Sequence, residues 1–342
     1  MTDLLYSDVE EELRASVRSL LADRVDLTRL EAEPVDLKLW RTLAADLGCA
    51  GLPIPESSGG AGATWRETAV VMEELGRAAA PVPFLGSAVL ATAALPDDDD
   101  LLRELAAGSK SAALALSRSV TARDGVLDGT VTSVIDAGTA DVLLVPTAEG
   151  LFAVDATADG VTRTPVVSFD LTRPLTDVTF RAAHARRVGD ADPLVARALT
   201  VGAALLASEQ LGIAEWCLTT TVEYVKTRRQ FARPIGSYQA VKHRLADVWV
   251  QVTQARAVAR YAADCLATDD PDLPVAAALA QSFCGPVAVK AAEECVQLHG
   301  GIGFTWEHPA HWYLKRARAD AVLLGSASYH RARLAELTNL TA

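Results

Sequence analysis

The chain has 342 residues, of which 50% are hydrophobic and 22% charged, a composition typical of folded soluble proteins. Its formal net charge of −12 argues against nucleic acid and an anionic membrane as main partners, although local arginines can still bind an anionic ligand. The five cysteines form no CxxC pair and the six histidines no HExxH motif, so we expect a reducing, cytoplasmic location and no metal site.

Residues 7–108 show the periodicity of helices. Ser7 and Glu10 form a capping box, and the apolar residues that follow share one face (Val9, Leu13, Val17, Leu20, Leu21). The acidic run 97–100 suits the start of a further helix, which Gly108 ends. Residues 51–67 are rich in proline and glycine and predict a loop between helices.

The pattern changes after residue 108. Short β-rich segments separated by Gly-containing turns predict an antiparallel β domain over 109–187. Long helical periods return over 188–342, where one helix is expected to carry an apolar stripe (Tyr238, Val241, Leu245, Val248, Trp249, Val252). The expected order is therefore a helical domain over 1–108, a β domain over 109–187 and a helical bundle over 188–342. We expect no signal peptide and no membrane span.

Residues 224–247 (YVKTRRQFARPIGSYQAVKHRLAD) place two arginines, Arg228 and Arg229, at a helix end. Phe231 is expected to open a loop, Pro234 to break the chain and Ser237 to cap the next helix. Arginine beside exposed backbone N–H groups at a helix start is a phosphate-binding arrangement. A plain surface cluster of basic residues explains the same pattern.

A second segment, QLHGGIGFTWEHP over 297–309, holds Gly300, Gly301 and Gly303. Glycines permit positive φ and close approach of the backbone to a ligand. No strand precedes them, so this is not a Rossmann fingerprint. A helix end followed by a turn is the alternative.

Together these segments resemble the acyl-CoA dehydrogenase family. The resemblance rests on three motifs: Pro55-Glu56…Gly59-Gly60-Ala61-Gly62, Arg228-Arg229-Gln230-Phe231-Ala232…Gln239…Leu245-Ala246-Asp247, and Gln297-Leu298-His299-Gly300-Gly301-Ile302-Gly303…Pro309. It covers nearly the whole chain. It implies a mostly helical α+β fold with an N-terminal helical domain, a middle antiparallel β domain and a C-terminal four-helix bundle.

The resemblance also implies FAD as cofactor and an acyl-CoA thioester as substrate. In such enzymes one subunit holds the flavin and its neighbour contacts the adenine and pyrophosphate end. The neighbour's contribution matches the cofactor-binding set predicted here: Arg228, Gln230, Phe231, Ile235, Tyr238, Gln297, Gly300 and Gly301. A planar guanidinium fork at Arg228 suits a pyrophosphate.

The half of the site that would receive the flavin lacks the motifs that the family carries there. Family members carry a Thr-Glu-Pro-x-x-Gly-Ser-Asp-like loop in the β domain, whereas 113–125 reads ALALSRSVTARDG. They also carry a Trp-Ile-Thr/Ser-Asn-like strand, whereas 130–145 contains no tryptophan and offers only Thr132 or Ser133.

The catalytic base also looks lost. Counting from Pro309, the family's Tyr-Glu-Gly-Thr segment places its glutamate at Leu324, and residues 322–328 hold no carboxylate. A minority of the family carries the base on the first helix of the bundle, which falls near Gly202, again without a carboxylate. Glu209 and Glu215 lie at the wrong turns, which leaves Asp320, one turn from Leu324, as the least unfavourable substitute.

These losses predict a division of labour. The chain is expected to be the short, base-lacking subunit of a heteromeric α2β2 acyl-CoA dehydrogenase, resembling actinobacterial enzymes that desaturate bulky steroid side-chain thioesters. A catalytic partner would hold the flavin, and an electron-transfer flavoprotein is one candidate acceptor. The alternatives are a homomeric dehydrogenase with an unorthodox base and a flavin-free scaffold or acyl-CoA sensor.

Overall fold

The computed structural model describes residues 4–96, 100–117 and 119–340. Most of the acidic run that was predicted to start a helix, residues 97–99, lies outside the described residues. Contacts divide the chain into two compact units that interleave along the sequence: residues 1–27, 69–80 and 203–342 form the first, and residues 28–68 and 81–202 form the second. The division into three domains at residues 108 and 187 stays a prediction.

The first unit is helical. Its helices are α1 (Asp8–Arg24), most of α3 (Trp65–Ala78), most of α6 (Ala191–Thr227), α7 (Gln239–Ala267), α8 (Leu273–His299), α9 (Ala310–Asp320) and α10 (Ala327–Leu337). The capping box of α1 is confirmed, because Glu10 N donates to Ser7 Oγ and Ser7 N donates to Glu10 Oε2. The predicted apolar face holds at Val17 and Leu21, which are buried, but is wrong at Val9, which is 69% exposed.

Two glycines bring α3 and α6 into backbone contact within this unit. A Cβ at Gly76 would stand 2.0 Å from the carbonyl oxygen of Glu209, and one at Gly212 would stand 1.9 Å from that of Glu73. Since no side chain fits at either position, the glycines allow the two helices to approach this closely.

The second unit carries the helix α2 (Leu37–Arg41), which continues as a π-helical turn over Thr42–Asp46. A second π-helical turn over Leu85–Ala91 leads into α4 (Thr92–Ala94), and α5 spans Leu101–Ala106. Residues 51–64 form a loop with short 3-10 turns, as predicted.

The β segment forms two four-stranded sheets in this unit. The first has the order β1-β4-β5-β8, from strands Ala112–Leu114, Val142–Thr147, Gly150–Asp155 and Arg186–Gly189. The second has the order β2-β3-β7-β6, from strands Thr121–Arg123, Val126–Ile135, Leu175–His184 and Val161–Val166. The pairing is antiparallel as expected except between β1 and β4, where Ala112 lies opposite Val142 in a parallel ladder. Leu143, Phe152 and Phe180 belong to the buried apolar cluster of this region.

Among the described residues, two helical segments are long and apolar enough to cross a membrane, contrary to the sequence-based expectation. They are Ala191–Thr227 and Leu273–Phe304, and 67% and 61% of their most apolar windows are buried inside the protein. Core helices of a bundle pass the same test of length and composition, and burial of this extent is what they show.

The predicted apolar stripe on α7 is only partly inward-facing. Val248 and Val252 are buried, whereas Trp249 is 60% exposed and its neighbour Val250 is also exposed. The helix therefore presents an aromatic side chain on its outer face in addition to its core contacts.

Candidate functional site

A short hairpin follows α6 and carries the first set of predicted cofactor-binding residues. Strand β9 (Arg229–Gln230) pairs antiparallel with β10 (Arg233–Pro234), and the turn residues Phe231 and Ala232 have φ values of 52° and 64°. Residues other than glycine seldom adopt this left-handed backbone conformation. The turn therefore costs conformational free energy, which the interactions in the rest of the hairpin must offset.

Backbone hydrogen bonds fix the base of the hairpin. Arg228 N donates to Tyr224 O at 2.9 Å, and Ile235 N donates to Arg228 O at 2.8 Å. The helix α7 begins at Gln239 with Tyr238 as its N-cap residue. The expectation that Ser237 caps this helix is wrong, because Ser237 lies in a 3-10 turn and its hydroxyl donates to Pro234 O.

The side chains of the hairpin point into solvent. Phe231 is 90% exposed, and Arg228 and Gln230 are exposed as well. Within the described part of the chain, no carboxylate forms an ion pair with Arg228. Ile235 and Tyr238 are half-buried, and the Arg233 guanidinium stacks 3.7 Å from the centre of the Tyr238 ring. An unneutralised guanidinium on a rigid turn is available to an anionic ligand.

The glycine segment follows the end of α8. Gly300 has a φ of 65°, and a Cβ at either Gly300 or Gly301 would meet no atom within 4 Å. Gln297, in the last turn of α8, is exposed. By contrast, a Cβ at Gly303 would lie 2.6 Å from Val296 O, so this glycine serves internal packing. The first two glycines therefore present bare backbone to the outside.

A stack of three rings joins the hairpin to the glycine segment. The Tyr224 ring lies 4.3 Å from the His299 ring, which lies 4.2 Å from the His308 ring. The Tyr224 hydroxyl donates to His299 O at 3.3 Å. Since Tyr224 is one turn before Arg228 and His299 directly precedes Gly300, the stack sets the position of one loop relative to the other.

Neither this stack nor the buried thiol group of Cys295 beside it was predicted from the sequence. Cys295 and Cys217 are fully buried, and a hydrogen bond from Cys217 lowers the pKa of Cys295 to about 5 against the opposing effect of burial. Burial lowers the pKa of His299, but its hydrogen bonds to Cys295 outweigh burial and raise it. The one available signal was the i, i+4 spacing of Cys295 and His299 on a helix.

The geometry of the two loops fits a flat phosphorylated ligand. The bare glycine backbone lets a ring system or a phosphate approach closely, and the exposed Arg228 fork supplies donors for phosphate oxygens. Phe231 adds an exposed aromatic face. The residues present thus suit the pyrophosphate and adenine end of FAD.

The β segment, in which the flavin-receiving motifs were predicted to be lost, has an irregular local structure. Residues 115–117 and 119–120 form a connection between β1 and β2, and Arg118 in its centre lies outside the described residues. In β3 the ladder with β7 is irregular between Val131 and Val134, and Ser133 has a φ of 58°. The Ser133 amide donates to Asp177 at 2.8 Å. The backbone N–H of Ser133 is therefore already engaged.

Leu324 lies in the turn between α9 and α10. It is half-buried and has a left-handed φ of 59°. The buried His330 ring donates from Nε2 to its carbonyl oxygen at 3.1 Å. This hydrogen bond holds the turn to the first part of α10.

The carboxylates considered as substitutes for the base are all engaged in ion pairs. Glu209 accepts from Arg316 Nε at 2.6 Å, and Asp320 lies 3.9 Å from the same nitrogen. All three side chains are at most 2% exposed. Glu215 is bound by Arg77 and Arg256. Such pairs hold a carboxylate in place, which suits a structural role.

Comparisons with known proteins agree with this description. The family model "Acyl-CoA dehydrogenase, N-terminal domain" matches residues 7–96, and "Acyl-CoA dehydrogenase, C-terminal domain" matches residues 193–338. The acyl-CoA dehydrogenase IpdE2 of Mycobacterium tuberculosis is 40% identical over 92% of each chain.

Solved structures show the same fold over almost the full length. A steroid acyl-CoA dehydrogenase, the G363A variant of Tcur3481-Tcur3483, superposes with a TM-score of 0.87 at 31% identity and covers 97% of this chain and 98% of that one. A chain of the ChsE4-ChsE5 complex from Mycobacterium tuberculosis superposes with a TM-score of 0.90 at 28% identity, with full coverage of both chains.

Proposed function

Because the chain belongs to the acyl-CoA dehydrogenase family, we propose that it is the non-catalytic subunit of a heteromeric acyl-CoA desaturase and donates half of an FAD site to a partner. FAD is the cofactor that family membership indicates. The observation that carries the proposal is the combination of an exposed, preformed hairpin and glycine surface with a leucine where the base is expected.

The chain's own residues would act by binding and orientation. FAD, when bound in the complex, supplies the acceptor for the hydride that leaves the substrate. Arg228 would donate to the pyrophosphate, Gln230 and Gln297 would add polar contacts, and Phe231 would pack on a ring system. The glycine surface at Gly300 and Gly301 would allow the cofactor to lie against the backbone.

The relatives support a heteromeric assembly. Two of the structural matches bear the names of pairs, Tcur3481-Tcur3483 and ChsE4-ChsE5, and the first is described as a steroid acyl-CoA dehydrogenase. We therefore propose a partner chain that retains the catalytic glutamate, in an α2β2 complex, and a bulky substrate of the steroid side-chain type. The exposed Trp249 and Phe231 are apolar surface that such a partner would cover.

The test is co-expression with an acyl-CoA dehydrogenase chain that retains the glutamate, followed by measurement of flavin per complex. Arg228→Ala is expected to weaken FAD retention about tenfold to a hundredfold, because a hydrogen bond to a charged group contributes about 1.5–3 kcal/mol. The matched control is Lys226→Ala, an exposed cation in the last turn of α6 that pairs with Glu223, which is expected to leave flavin content unchanged.

Each outcome decides between the proposal and its alternatives. Equal flavin content in the parent and Arg228→Ala complexes would remove Arg228 from the site. Isolation of this chain alone as a stable, fully flavinylated and active homo-oligomer would favour a self-sufficient dehydrogenase. A complex in which no chain retains FAD would favour a scaffold or sensor.

A further inference from the structure

A cavity of about 300 Å³ lies in the helical unit. We name it the α1–α3 cavity after the helices that form its first two walls. It is lined by Arg18, Leu21, Ala22, Val25, Leu27, Glu74, Arg77, Ala78, Trp216, Pro309 and Tyr313. Its volume is at the lower end of the range for small-molecule sites, which indicates a ligand of about one ring.

One wall of the cavity is flat and rigid. The rings of Trp216 and Tyr313 are stacked with 3.5 Å between centroids and 1° between their planes. The Tyr313 hydroxyl donates to the carbonyl oxygen of Arg77 at 2.8 Å, so the tyrosine is held at both ends. Leu21 of α1 and its C-cap residue Val25 complete an apolar surface that suits a flat hydrophobic body.

The polar side of the cavity belongs to a cluster with an excess of positive charge. Salt bridges join five arginines to four glutamates in this cluster: Arg14, Arg18, Arg77, Arg256 and Arg260 to Glu11, Glu73, Glu74 and Glu215. An anionic ligand would therefore complement the charge of this cluster, although the whole chain has a net charge of −12.

Arg77 brings that charge to the cavity wall. Its Nη2 donates to Glu215 at 2.6 Å, while its buried Nε lies 3.9 Å from Glu74 and has no hydrogen-bond partner among the described residues. A guanidinium has five N–H donors, and a buried donor without a partner costs free energy. The Arg77 side chain as a whole is 25% exposed and lines the cavity, so the part of the guanidinium that Glu215 does not engage is what a bound acceptor would meet.

We propose that the α1–α3 cavity binds a small, flat monocarboxylate, with its ring on the Trp216–Tyr313 wall and its carboxylate on Arg77. Its lining includes Pro309, the last residue of the glycine segment, but none of the predicted cofactor-binding residues, and the proposal does not depend on the FAD-donating function. Its ligand would bind without chemistry, because the cavity holds no group positioned to form or break a bond.

The probe is 4-fluorobenzoate, observed by fluorine NMR titration of the full-length chain in its purified complex. Two isosteric probes, 4-fluorobenzyl alcohol and 4-fluorobenzylamine, carry no charge and a positive charge. The acid is expected to bind one site per copy of this chain, at least tenfold more tightly than either. Ala78→Phe fills the cavity and is expected to weaken benzoate binding at least tenfold, and Ala22→Phe at the exposed rim serves as a second filling variant.

Ala257→Phe, on the exposed face of α7, is the matched control and is expected to bind like the parent. Absence of saturable benzoate binding in the parent, or binding that both filling variants leave intact, would overturn the site. Equal affinity for the acid and the alcohol would overturn the role of Arg77 in recognising the anion. Flavin content is measured in the same samples, so that failure of the cavity proposal is distinguishable from failure of the FAD proposal.

Discussion

Leu324→Glu tests whether a carboxylate at the predicted base position is all that the chain's own site would need. A positioned general base contributes about 10²–10⁴-fold to a rate. If everything else were in place, restoring it would create a second working site and double the turnover of a complex. Because we predict that the β segment has also lost the family's flavin-facing motifs, we expect turnover per FAD and FAD stoichiometry to remain unchanged.

The stability cost of the same change follows from the position of Leu324. Full burial of a leucine contributes about 1.5–3 kcal/mol, so a half-buried one loses about 1 kcal/mol when it becomes polar. The left-handed φ of 59° is equally unfavourable for leucine and glutamate, so backbone strain cancels. We therefore expect Tm to fall by about 2 °C.

The assay measures acyl-CoA oxidation, flavin per complex and Tm for the parent, Leu324→Glu and the matched control Leu324→Gln. The glutamine loses the same apolar contact without adding a charge, so both variants are expected to behave alike in turnover. A doubling of active flavins in Leu324→Glu alone would refute the reasoning, because it would show a site complete except for its base.

Three further predictions concern stability. Arg316→Met removes the guanidinium from two buried carboxylates and is expected to lower the free energy of unfolding, measured with denaturant, by about 3–5 kcal/mol. The control is Arg318→Met, which removes an exposed ion pair and is expected to change the free energy of unfolding by less than about 1 kcal/mol. Gly212→Ala would place its Cβ 1.9 Å from Glu73 O and should lower Tm sharply or abolish soluble expression; an unchanged Tm would contradict the backbone contact. Burial lowers the pKa of His311 to about 4, below its unfolded value of about 6.5, so the unfolded state binds more protons between these pH values. Stability is accordingly lost as pH falls through that window, and a pH–Tm profile should flatten in His311→Gln.

Local sequence determined much of this protein. The capping box at Ser7 and the alternation of β-rich segments with glycine turns were readable because each depends on residues close in the chain. The role of the two cofactor motifs stays a prediction, because each motif alone also fits a surface cluster or a helix end and only the family resemblance points to a cofactor. The same local reasoning failed at Ser237, where a 3-10 turn takes the place of a simple cap.

Only the tertiary structure decided what depends on residues far apart in sequence. The stack of Tyr224 on His299, the pairing of Glu209 with Arg316 and the closeness of Gly76 to α6 each join positions that are between 75 and 133 residues apart. No periodicity predicts which carboxylate meets which guanidinium, because ion pairing is decided by where helices cross. For this reason the sequence could name Asp320 as a candidate base, whereas the fold buries it beside Arg316.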